Sequence, residues 1–83
     1  MKAVNLEAAI YNKDGNPIDT RLMANLQSVK LWADESEAIA IKTYNFDEET
    51  ENLYLKAGLK ERWQQASENT FKAVLARAKS RSE

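Results

Sequence analysis

Two acidic pairs in this 83-residue chain stand at a spacing that suits a divalent cation: Asp34 with Glu37, and Glu48 with Glu51. Residues three apart share one face of a helix. Two such helices facing each other would offer four carboxylates to magnesium and support phosphate chemistry. No basic residues are arranged beside them to grip a triphosphate. Acids near a helix start also have a sufficient structural cause, because they cap free amides and suit the helix dipole. Capping accounts for these four, and no metal ligand, cofactor ligand or catalytic group follows from them.

The turn Asn12-Lys13-Asp14-Gly15 has the centre of an EF-hand calcium loop but not its ends. With Gly15 as the loop glycine, Ile10 falls where the first aspartate belongs and Arg21 where the bidentate glutamate belongs. An ordinary turn is the reading that survives. Histidine and cysteine are both absent, which removes the usual general base at neutral pH, thiolate chemistry and any disulfide.

A second kind of chemistry is offered by the basic C-terminal end, Lys72, Arg77, Lys79 and Arg81. Phosphate contacts need several cations on one accessible face. On a helix, Lys72 and Lys79 share one side, whereas Arg77 and Arg81 share another well over 90° away. A helix-turn-helix over residues 53–78, turning at Gly58, fails at its most informative positions. Tyr54 stands where a small residue is needed, and Gln64 and Ser67 where apolar ones are.

The third kind is adhesion. Trp32, Tyr44, Phe46, Tyr54, Trp63 and Phe71 are many large side chains for a chain this short. Most belong in the core, but aromatic residues left at the surface are typical binding hot spots. Trp32 at the edge of an apolar stripe, Leu31 on the opposite side, and Tyr54 and Trp63 further along are the candidate protein-interaction residues.

The elements that would position these residues follow from periodicity. Val4, Leu6, Ala8 and Ile10 alternate, which predicts a strand over 3–11. A turn follows at 12–17. From Asp19 or Thr20, Leu22, Leu26, Val29 and Ala33 mark a helical face that ends near the acidic break 34–37. Ile39, Ile41 and Thr43 suggest a second strand over 38–44, pairing with the first. Asn45 and Glu48 have capping-box spacing, which predicts a helix from there onward. Its two stripes, Leu55/Leu59/Trp63 and Phe71/Val74/Leu75/Ala78, are rotated by roughly 100° at 3.6 residues per turn. They require a break near Gly58 or Ser67, with Ser67 favoured as a new cap.

The expected fold is therefore a helix-dominated α+β single domain spanning 1–83. A small two-stranded sheet packs on a middle helix and a long C-terminal helical segment. The alternative is an all-α bundle of three to four helices, with 38–44 recast as a helix.

Twelve basic and thirteen acidic residues give a net charge of -1, but they are unevenly spread. Seven acids fall within 34–51, against Lys42, and the end of the chain is basic. A domain this small buries little surface, so association with a second copy is the natural way to add core. No apolar run reaches the length of a membrane span, and a cytoplasmic location is expected. The expected function is a non-enzymatic protein-interaction module (a regulator, inhibitor or accessory subunit) that binds another protein and self-associates as a homodimer or larger oligomer. The alternatives are a nucleic-acid-binding accessory protein using the basic end, and a metal-dependent nucleotide phosphohydrolase.

Overall fold

A computed structural model describes residues 6–57 and 62–81. The chain opens with strand β1 (Leu6–Tyr11), in which Leu6, Ala8 and Ile10 are buried and Glu7 is exposed. This is the expected alternation. Its turn is held by Asn12, whose Oδ1 accepts from the amides of Asp14 at 2.9 Å and Asn16 at 3.0 Å. Gly15 follows with φ +80°, and a Cβ there would stand 2.6 Å from the backbone oxygen of Leu75.

Beyond the turn lies strand β2 (Pro17–Met23), not a helix. It pairs antiparallel with β1, Leu6 opposite Met23 and Ala9 opposite Thr20. Pro17 costs no ladder bond at the first position of an edge strand. Helix α1 (Leu26–Glu35) starts later than the apolar stripe implies, capped by Asn25, whose Oδ1 accepts from the Ser28 amide at 2.8 Å. Val29, Trp32 and Ala33 form its buried face. Leu22, assigned to the same stripe by spacing, is 60% exposed on β2.

Strand β3 (Ala40–Asn45) pairs antiparallel with β1, Ile10 opposite Ile41, as the two predicted strands were expected to do. The remainder departs from expectation. The described residues within 50–66 are not helical but form strands β4 (Thr50–Ala57) and β5 (Arg62–Ala66). Helix α2 (Glu68–Arg81) then begins at the predicted break, where Ser67 Oγ accepts from the Thr70 amide at 3.2 Å. The other break candidate, Gly58, lies outside the described residues, as does Leu59.

Helix dominance and the all-α alternative are thus both overturned by one antiparallel five-stranded sheet of order β2-β1-β3-β4-β5. The reason is visible in β4. It lies inside the sheet, with Tyr54 packed on the α1 side and Leu53 and Leu55 in the cluster around Phe71 of α2. A strand covered on both faces loses the apolar–polar alternation that marks a half-buried one. The capping signal at Asn45 was also ambiguous. Its Oδ1 does accept from the Glu48 amide at 2.8 Å, but the bond closes the β3–β4 turn, where Glu49 has φ 55°.

The helices cover opposite faces. Under α1 lie Leu6, Ala8, Ile10, Ile41 and Tyr54; under α2 lie Tyr11, Ala40, Leu53 and Leu55, gathered on Phe71 and Leu75. Tyr11 meets Phe71 edge to face at 5.4 Å between ring centroids. No helix among the described residues is long and apolar enough to cross a membrane.

Candidate functional site

Residues directly opposite in an antiparallel pair share a face of the sheet. The register therefore draws rows across the face that α2 occupies. Tyr11, Ala40 and Leu55 form one row, and α2 covers it. Thr20, Ala9, Lys42 and Leu53 form the next. Leu22, Glu7, Tyr44 and Glu51 form the third. α2 packs over the first row and the Leu53 end of the second, and among the described residues the remainder of this face stays open.

The open part is a shallow recess of about 260 Å³ whose lining includes Glu7, Ala9, Thr20, Lys42, Tyr44 and Glu51. Tyr44 stands between two carboxylates, with Glu7 opposite it on β1 and Glu51 opposite it on β4. Lys42 Nζ lies 3.7 Å from Glu51 Oε2, and both side chains are nearly half exposed. A pair so exposed contributes little stability. Tyr44 also meets Phe46 edge to face at 5.4 Å. Phe46 is 47% exposed, and on β2 Ile18 and Leu22 are exposed as well. An apolar rim thus runs from the edge strand to the β3–β4 turn, interrupted by carboxylates.

A second recess of similar size opens at the N-terminal end of α1, lined by Asn25, Asn45, Asn52, Thr43 and Tyr54 among others. Its polar groups are amides and hydroxyls. Burial pushes the Tyr54 phenol above its ordinary pKa of 10.0, so it stays protonated and offers a hydrogen bond rather than a charge. Lys30 Nζ sits 5.8 Å from the centre of its ring.

The residues singled out by sequence fall in several places. Leu31 is 60% exposed on the outer side of α1, whereas Trp32 beside it is buried, with the Arg21 guanidinium 4.7 Å over its ring. Tyr54 and Trp63 pack against the α1 core. Trp63 Nε1 donates to Asp34 Oδ1 at 3.0 Å, and Lys56 Nζ lies 3.2 Å from the same oxygen. These four therefore do not form one surface.

The Asp34 latch joins the end of α1 to β4 and β5, and its ionic side chains are only about a quarter exposed. Asp34→Ala is expected to cost about 1–3 kcal/mol, because it leaves an indole N–H and an ammonium without their acceptor. Urea denaturation reads that cost, and the Trp63 indole N–H resonance should shift with it. An unchanged midpoint would show that the latch carries no stability.

The acidic pairs do not meet. Asp34 lies in the last turn of α1 and Glu37 beyond it, while Glu48 is in a turn and Glu51 in β4. Among the described residues no group of three or more acids could hold a metal ion. On α2, Lys72 pairs with Glu68 at 3.1 Å, and Arg77 and Lys79 are exposed. The Arg81 side chain lies outside the described residues.

Glu7, Ile18, Leu22, Tyr44 and Phe46 escaped the sequence reading as surface residues. A signal existed for two of them. Ile18, Thr20 and Leu22 alternate with Asp19 and Arg21 directly after a turn containing Asp-Gly, which is a hairpin pattern. No family model matches the chain, and no curated protein or solved structure matches it.

Proposed function

We propose that the chain is a non-catalytic protein-binding module, and that its docking surface is the part of the sheet that α2 leaves open. The observation carrying this reading is the row Leu22–Glu7–Tyr44–Glu51, continued by Phe46, which leaves aromatic and aliphatic groups uncovered beside a helix that buries the neighbouring row. Uncovered apolar side chains rimmed by polar ones mark interaction surfaces.

Charge selects the partner. Glu7 and Glu51 flank Tyr44, and Asp47, Glu48 and Glu49 fill the adjoining turn, against Lys42 on the same face. Such a surface repels phosphate and suits a protein with an apolar centre and basic residues around it. This favours a protein partner over nucleic acid for this face.

Affinity purification from the source organism, comparing the wild type with the Tyr44→Ala/Phe46→Ala double variant and with Leu31→Ala, tests the surface. A partner that is lost with the double variant and kept with Leu31→Ala supports the reading, once the purified pair reproduces both results. Equal recovery by all three baits would overturn it, and loss with Leu31→Ala alone would move the site to the outer side of α1.

A further inference from the structure

The sheet ends in two outer strands, β2 on one side and β5 on the other. Among the described residues β2 has β1 on one side of it and no strand on the other. Such an edge is a template for another strand unless something blocks it. Pro17 and a register irregularity at Ile18 guard the start of this strand, and from Asp19 onward the block is a carboxylate. Asp19 Oδ1 accepts from the Thr20 amide at 2.8 Å, and Asp19 Oδ2 lies 3.5 Å from Arg21 Nε. Because the Thr20 N–H is spent on a side chain, it is not part of the ladder to β1. It belongs to the outward side of the strand.

We infer that β2 pairs antiparallel with β2 of a second copy, about a two-fold axis at Thr20. This rests on the reading of the chain as a protein-binding module and names one partner, the chain itself. The argument is the register. Centred on Thr20, the pairing sets Asp19 opposite Arg21 of the second copy and Arg21 opposite its Asp19. Leu22 then comes beside Ile18 of the second copy, where β2 carries its register irregularity. Every charged residue of the strand meets its opposite.

Neighbouring registers fail. A slip of two residues centres the pair on Asp19 or on Arg21 and brings like charges face to face, which disfavours a cross-strand pair. A slip of one sets Asp19 against Leu22, or Arg21 against Ile18, and turns matched faces into mismatched ones. Asp19 therefore has two states. In the isolated chain it covers the Thr20 amide and pairs with its own Arg21. In the pair it releases that amide to the new ladder and turns to Arg21 of the second copy. Ile18 and Leu22, 40% and 60% exposed in the single chain, become interior positions of a continuous ten-stranded sheet.

Sedimentation and native mass spectrometry of the full chain across a wide concentration range test this, with charge variants on a surface strand. Asp19→Arg alone places two cations opposite each other twice per pair, and Arg21→Asp alone places two anions there. Each is expected to weaken homodimerisation about tenfold or more. Mixed one to one, the two variants regain complementary charges, and the expected result is a dimer of mixed mass. That recovery is a readout no folding defect imitates. A wild type that stays monomeric would overturn the inference, as would single variants that dimerise like the wild type, or a mixture that fails to form the mixed dimer. None of those outcomes touches binding of a different protein at Tyr44 and Phe46, which stands or falls on its own experiment.

Discussion

Phe71→Ala is expected to cost about 3–5 kcal/mol, the range for removing a buried aromatic side chain. Phe71 is 5% exposed and is the side chain of α2 on which Tyr11, Ala40, Leu53 and Leu55 converge. Small domains have only about 5–15 kcal/mol in total, so the loss is a large part of what is available. It should also be local in a readable way. α1 packs on the other face with its own cluster, so amide exchange should rise first along 68–81 and only later in β1 and β3. A urea midpoint equal to that of the wild type would show that α2 is not part of the cooperative unit. The covered row would then belong to the open surface, and the boundary of the docking face would have to be redrawn.

Gly15→Ala should be nearly as damaging, for two separable reasons. The backbone at Gly15 has φ +80°, where an L side chain costs roughly 1–2 kcal/mol. The new Cβ would also stand 2.6 Å from Leu75 O, a backbone atom that cannot swing aside. Together these should cost about 2–4 kcal/mol, in the range of backbone strain that the surrounding structure no longer supports. Gly15→Asn separates the two, since asparagine tolerates positive φ better than alanine but brings the same Cβ. Alanine and asparagine variants that are both well below the wild type in urea would establish the contact between turn and helix. An asparagine variant as stable as the wild type would show that the β1–β2 turn does not hold α2.

The sequence exposed some of this architecture and concealed the rest for definite reasons. β1 was legible because only its Leu6, Ala8 and Ile10 side face the helix α1, which leaves Glu7 outside. The turn at Asn12–Asn16 and the cap at Ser67 were legible because their chemistry is local. β4 was not, since a strand between two helical layers carries apolar residues on both faces. β2 was concealed by coincidence. Leu22 stands four residues before Leu26, so an exposed strand residue completed a helical stripe that in fact begins three residues before Val29.

For the surface residues the obstacle was different. Tyr44 is left half-buried and Phe46 exposed because α2 covers one end of the sheet and stops short of the other. That is a consequence of where a helix lies in three dimensions, and no spacing along the chain encodes it. Trp32 and Trp63 show the converse. As large aromatic residues they were reasonable surface candidates, yet one is buried against Arg21 and the other has its indole nitrogen satisfied by Asp34.

The pairing of β1 with β3 joins residues 6–11 to 40–45, whereas every other pairing in the sheet is between consecutive strands. The centre of the sheet is thus its least local seam. The N-terminal hairpin and the β3–β4–β5 meander can each form from nearby residues, but they share Ile10 and Ile41, both fully enclosed, only after about thirty intervening residues have been folded back. Closing that seam is the slow entropic step contact order identifies. Until it happens, neither half has a second neighbour for its innermost strand.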